Sequence, residues 1–377
     1  MFIVVFILTI LILVLIHEWG HYFAAKKSGI KVLEFGFGIP PRLWSKKIGD
    51  TIWSINWLPF GGFVKLLGED ELDADKLNDK RSFAKAPISK RILIVVAGVV
   101  MNLLLAWGLY YIVLGSNDFK SQPILQLSNY KFTGAEQITE KMVFIGQVAS
   151  DSPALTAGIN SNERVLSVNN QPITSTEQLS AVIKQNAGKK TMIEVSDIQK
   201  TEIRSLEVTP RENPPQGQGP LGVSLGEVEF VTLHYATPMQ KLFAGPIHSW
   251  NVLSYSFKTM GQLISTAFER GDITPVSQNV AGPVGITNLV KQILDIKNPL
   301  LPYLDFMAAL SLNLAIVNIL PFPGLDGGRF SFLLFEAITK KKPNATFEKY
   351  YHSVGLVLLL GLIFAITISD IRKLLPF

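Results

Sequence analysis

The chain has 377 residues, 48% of them hydrophobic and only 17% charged, where an average soluble protein carries about 25% charge. That composition excludes an ordinary soluble enzyme and points to a membrane protein; the formal charge of +5 follows the loops rather than forming a patch, so no nucleic-acid partner is expected. With no cysteine, disulfides and thiolate metal sites are excluded, and any metal falls to histidine and carboxylate ligands.

Residues 1–25 read as a first transmembrane helix. Positions 2–16 are apolar except for Thr9. No Lys or Arg precedes Lys26 and "YFAAKK" is a poor cleavage site, so this segment is expected to remain a helix and not to be removed as a signal peptide. His17, Glu18 and His21 then fall inside it. An ionisable side chain at bilayer depth costs at least roughly 2.5–3.5 kcal/mol, so it needs a partner or a purpose. Helix residues four apart lie about 40° apart around the axis, which puts His17 and His21 on one face, able to hold one metal ion. The spacing H-E-x-x-H also sets a carboxylate beside metal-bound water whose pKa falls toward ~7, the machinery of hydrolysis. The competing reading is a pair of histidines satisfied within a helix bundle.

Residues 31–66 follow, where "TIWSINW" alternates aromatic or aliphatic with polar residues between Gly and Pro punctuation. This favours membrane-associated β-hairpins over a plain aromatic loop at the lipid interface. A charged loop at 67–90 leads to a second transmembrane helix at 91–114. Thirteen Lys and Arg lie between Phe23 and Arg91, and Lys340, Lys341, Lys342 and Lys349 follow the third span, so both loops are expected in the cytoplasm and both termini outside. The long stretch between spans two and three is then extracytoplasmic.

Within that stretch, residues 139–212 have the short strands, turns and single amphipathic helix of a small α+β domain, closed by the polar linker "RENPPQGQGP". Residues 239–300 are expected to form extracytoplasmic membrane-surface helices, although "NVLSYSFKTMGQLISTAF" leaves a further span open. A third transmembrane helix at 303–336 is broken at Pro321 and Pro323, and a fourth occupies 352–370. A catalytic zinc needs a third protein ligand. His234 and His248 fall outside the membrane in this topology and His352 has no supporting pattern; Asp326, just after the two prolines, is the better candidate, because irregular backbone at that depth must line protein or water. The alternative is an aspartate that caps the next helix, "DGGRFSFLLF".

The motifs His17-Glu18-Trp19-Gly20-His21, residues 36–40 with "PFGGFVK" at 59–65, Gly98 and Asn102, "AGPVGI" at 281–286, and Asn318-x-x-Pro321-x-Pro323-x-x-Asp326-Gly327 run in order along nearly the whole chain. This arrangement resembles the site-2 protease family of intramembrane zinc metalloproteases, in its bacterial form with a PDZ domain. The resemblance implies a polytopic α-helical protein of about four transmembrane helices, with a cytoplasmic-side membrane-associated β-hairpin region and an inserted extracytoplasmic PDZ-like domain at 139–212. It implies that His17, His21 and Asp326 hold Zn2+, that Glu18 is the general acid and base, and that Asn313, Asn318, Gly61 and Gly62 meet the substrate backbone. It further implies a multi-pass protein of the bacterial inner membrane, with the H-E-x-x-H motif near the cytoplasmic side. Its substrates are single-span membrane proteins, such as anti-sigma factors or remnant signal peptides. They are cut in or near their transmembrane helix after an upstream site-1-type protease has acted, in regulated intramembrane proteolysis. The lipid bilayer is the remaining partner.

Departures are few. Trp19 stands where relatives more often have Phe, Arg329 where they often have His, and one PDZ-like region replaces the tandem pair of some relatives. The stretch "FIGQV" lacks a G-x-G-φ carboxylate-binding pattern, so a steric filter is expected in place of capture of a free C-terminus. A non-catalytic membrane adaptor with a structural zinc fits poorly, since Glu18 is intact and only three ligands are found. A membrane zincin that cuts soluble or prenylated peptides would place a glutamate ligand downstream and its motif after several spans.

Overall fold

The computed structural model describes residues 1–69, 79–127, 130–196 and 203–374. Positions 70–78 of the expected loop at 67–90, and 197–202 of the expected domain at 139–212, lie outside the described residues. The chain divides into two compact units, one made of Met1–Asp118 with Leu242–Phe377 and the other of Phe119–Lys241.

In the first unit, apolar sequence without proline forms α1 (Phe2–Lys27) and α2 (Ile88–Gly115). With α9 (Leu300–Ile319) and α11 (Ala345–Leu374) these are the described helices long and apolar enough to cross a bilayer. A helix suits that task because it satisfies its own backbone polar groups. Small residues let the first two meet closely: a Cβ on Gly20 would lie 2.3 Å from the Ala97 carbonyl oxygen. On the other side of α2, Ala106 and Tyr110 pack with Ala308 and Leu312 of α9, and the Ser311 hydroxyl donates to the Asn102 carbonyl at 2.7 Å.

Between the first two spans lie β1 (Val32–Ile48) and β2 (Thr51–Leu66), joined through Gly49 and Asp50. Each strand bends, so the start of β1 pairs twice: Phe35 faces Val64 on one side and Trp53 on the other, while Trp44 and Lys46 continue the ladder opposite Ile55 and Trp53. The segment around Gly62–Leu66 is therefore an outer edge. Tyr22 of α1 stacks edge-on against Phe35 and Trp53, which ties the hairpin to the helix. Below it, Ala25, Ile30, Leu66, Phe83, Ile94 and Leu333 form a buried cluster.

The helix expected on the membrane surface is α6 (Ala244–Arg270), which follows the short α5 (Pro238–Leu242) and buries His248 and Asn251. The helices α7 (Thr274–Asn279) and α8 (Pro283–Leu294) lead back to α9. The carboxylate of Asp370, on α11, accepts from the backbone N–H groups of Gly282 and Gly285, both at 2.8 Å, and so caps α8. That gives "AGPVGI" a structural task.

The second unit is a sheet in the order β3-β9-β4-β5-β7-β8, with β6 beside β5. Its strands are β3 (Ile124–Leu125), β4 (Glu136–Val148), β5 (Arg164–Val168), β6 (Gln171–Pro172), β7 (Thr191–Ser196), β8 (Ile203–Val208) and β9 (Val223–His234), with the short α3 (Pro153–Thr156) and the amphipathic α4 (Thr176–Gln185). Alternation does the sorting in β7, where Thr191, Ile193 and Val195 are buried. Ser175 caps α4 by accepting the Gln178 N–H at 3.2 Å, and Leu179 and Ile183 turn into the core. The unit is wider than 139–212, because β9, beyond the polar linker, pairs with β4 from Val148 to Glu136.

Candidate metal centre

α1 presents His17 and His21 on one face, with ring centroids 4.8 Å apart. The second span makes room for them: a Cβ on Gly98 would lie 2.4 Å from His21 Nε2 and 2.7 Å from His17 Nε2. The third contribution comes from far along the chain. After α9 the backbone leaves the helix at Leu320, passes Pro321 and Pro323, takes a left-handed turn at Gly324 (φ +90°), and re-enters a helix as α10 (Asp326–Thr339). Prolines end one helix, glycine permits the turn, and Asp326 becomes the first residue of the next. Its Oδ2 lies 2.9 Å from His17 Nε2 and 3.2 Å from His21 Nε2. The carboxylate thus turns to the histidines, not to a cap on its own helix.

Donor chemistry decides whether a metal fits. His21 Nδ1 lies 2.8 Å from the Ile94 carbonyl, so this nitrogen carries the proton and Nε2 presents its lone pair. His17 Nε2 is 3.1 Å from it, and once that atom faces the cluster, His17 Nδ1 needs an acceptor. Asn102 Nδ2 lies 3.4 Å from it while Asn102 Oδ1 is buried without a partner, and turning the amide over, an exchange of near-identical N and O, presents Oδ1 to Nδ1 and satisfies both. Three acceptor atoms then face one another, all within 4.8 Å. They repel unless a cation lies between them. Bonds of about 2.0–2.1 Å in a tetrahedral site space the ligand atoms roughly 3.3 Å apart, close to the separations seen here.

Glu18 is near enough for its charge to act on His17, His21 and Asp326, and it hydrogen-bonds to the Val64 backbone on the sheet's outer edge. Gly62 is part of that approach, since a Cβ there would lie 3.2 Å from Glu18 Cγ. Gly61 occupies a left-handed conformation at φ +80°. On α9, Asn313 is exposed and Asn318 half-buried, and among the described residues neither hydrogen-bonds to the cluster.

The remaining histidines have other tasks. His234 faces Glu136 across β4 and β9 at 3.4 Å, and His248 packs edge-on against Tyr110. His352 accepts the Gly324 N–H at 3.0 Å and so holds the turn that delivers Asp326. Tyr351 assists by donating from its hydroxyl to the Pro321 carbonyl at 3.2 Å. Sequence reasoning passed over His352 and Gly324; the only local signal was a glycine directly after two prolines.

Fold and site together define an integral membrane metallopeptidase. The profile of peptidase family M50 matches residues 5–362. A protein of Clostridium perfringens that bears a zinc metalloprotease name is 32% identical over 372 residues, 98% of each chain. The zinc metalloprotease RasP of Shouchella clausii is 26% identical over 450 residues, again 98% of each, and that of Geobacillus kaustophilus 25% over 453 residues with the same coverage. The chain belongs to peptidase family M50, the site-2 type of metalloendopeptidase.

Proposed function

We propose that this protein is a zinc-dependent intramembrane endopeptidase that cuts single-span membrane proteins in or near their transmembrane helix, after a first extracytoplasmic cut. The observation that carries this reading is the convergence of His17, His21 and Asp326 beside Glu18, at the depth of an apolar helix. His17, His21 and Asp326 are the ligands, and the metal is zinc, as in the names of the relatives. When bound, it supplies Lewis acidity, polarising a peptide carbonyl and lowering the pKa of water toward ~7.

The chain's own residues do the rest. Glu18 takes the proton from the attacking water and returns it to the leaving amine. A substrate helix hides each carbonyl in an intrahelical bond, so cleavage requires local unwinding. The outer edge at Gly62–Leu66 runs beside Glu18, where an unwound segment can add as a strand. Gly62, without a side chain, lets that edge approach Glu18, and the amides of Asn313 and Asn318 hold the substrate backbone.

Residues 119–241 act in this reading as an extracytoplasmic PDZ-like unit that sorts substrates. Support comes from a groove of about 520 Å³ lined by Leu179, Ile183, Leu221, Val223 and Leu225. Beside it, β9 is covered by β3 only at Phe230 and Val231, so its start is an open edge for an extended segment. The groove lies not at "FIGQV" but behind "GPLG", ahead of β9. The H-E-x-x-H motif then lies near the cytoplasmic face, and the loops rich in Lys and Arg lie in the cytoplasm.

The test is a pair of single-span reporters in reconstituted membranes, one with its folded outer domain and one pre-trimmed. The trimmed reporter is cut and the other is not. Equal rates on both would remove the two-step reading.

A further inference from the structure

On the side of α1 turned away from His17, a groove of about 560 Å³ runs between the helix and the hairpin, lined by Leu15, Ile16, Trp19, Phe35, Trp44 and Trp53. At 100° per residue, Leu15 and Trp19 project roughly opposite to His17, so the groove is separate from the metal centre. Trp19 is 44% exposed and Trp44 53%. Aromatic surface of this extent, beside an apolar span, suits contact with lipid.

The groove ends in positive charge. Lys26 and Lys27 close α1, and Lys26 lies seven positions beyond Trp19, about 10 Å along the same side of the helix. On the sheet, Lys46 stands directly opposite Trp53 in register and two residues from Trp44, so it shares their face. Arg42 is engaged by Glu34 at 2.6 Å, whereas Lys27 and Lys46 make no ion pair among the described residues. An apolar slot at span depth that opens onto three amines matches an acyl chain followed by a phosphate. Lys26 already lies over the Tyr22 ring, 5.8 Å from its centroid; a hydrophobic peptide segment would match the slot but bring no anion to these amines.

We infer that this groove seats one anionic phospholipid, its acyl chain against Trp19, Trp44 and Trp53 and its headgroup phosphate against Lys26, Lys27 and Lys46. The bound lipid braces the hairpin on α1. Because the strand that carries Trp53 continues to Gly62 and Val64, which touch Glu18, lipid occupancy positions the sheet edge at the metal centre.

The experiment uses the full chain in phosphatidylcholine nanodiscs doped with a trace of diazirine-tailed phosphatidylglycerol or, in parallel, diazirine-tailed phosphatidylcholine, with the cross-links mapped by peptide. The phosphatidylglycerol probe labels peptides from the groove at least about fivefold more, the scale that one lysine gives near an anionic surface. Unlabelled phosphatidylglycerol competes this label away. The triple variant Lys26→Gln, Lys27→Gln, Lys46→Gln lowers it to the phosphatidylcholine level and leaves the phosphatidylcholine label unchanged. Equal labelling by the two probes would overturn the inference, as would a preference that survives in the triple variant. So would displacement of the lipid by a reporter segment that cross-links to the same strand, which would make the groove a substrate site.

Discussion

Oδ2 of Asp326 lies 2.9 Å from Nε2 of His17, although 309 positions of chain separate the two residues. The break after α9 brings Asp326 to that contact. If Asp326 is one of three ligands, as proposed, Asp326→Ala lowers zinc in the purified protein from about one per chain to near zero, and reporter cleavage falls to background. Full zinc content in this variant would show that the carboxylate is not a ligand.

Gly98 gives a sharper test of the packing around the histidines. A methyl group there enters the space of both Nε2 atoms, while a Cβ on Gly108, in the same helix, meets nothing within 4 Å. Gly98→Ala should lose metal and activity together. Gly108→Ala should keep both, with stability unchanged or raised by up to about 1 kcal/mol through helix propensity. Metal analysis and thermal melting in detergent read the pair.

His352 holds the turn that leads to Asp326 through the Gly324 N–H, outside the proposed ligand set. His352→Ala frees the Gly324 N–H, and loss of such an outer partner typically lowers metal affinity or activity roughly 10–100-fold. Cleavage kinetics and zinc competition with a chelator check this, and an unchanged affinity and rate would leave His352 with a packing role alone.

How much of this was legible in the sequence depends on distance along the chain. His17, Glu18 and His21 are neighbours on one helix, so the 3.6-residue period alone aligns them. Asp326 was reached through its two prolines, which mark a break whatever the tertiary structure. Ile94, which fixes the tautomer of His21, leaves no local trace, since any residue offers the same carbonyl. His352 likewise carries no pattern; its role arises where α11 passes the Gly324 turn. The width of the second unit was hidden for the same reason. The stretch "RENPPQGQGP" reads as a boundary, yet β9 returns across it to pair with β4 through contacts that no window of sequence contains.

Arg91 and Glu336 form a two-point ion pair at 2.9 and 2.5 Å, with both side chains largely buried, between the start of α2 and α10. Removing one partner leaves a buried charge, so Glu336→Leu should cost about 3–5 kcal/mol. Adding Arg91→Met should recover much of that loss, because an apolar pair no longer has to be desolvated. Thermal melting of the single and double variants measures both effects, and equal melting points would place the pair in solvent.

Glu18 supports the most direct test. Glu18→Gln keeps the shape of the side chain and leaves His17, His21 and Asp326 in place, but removes the proposed base. Cleavage of a pre-trimmed single-span reporter should fall by at least about 100-fold, the lower range for a general base, while zinc content stays at the wild-type value. Cleavage at the wild-type rate with zinc retained would contradict the assignment of the chemistry to this site.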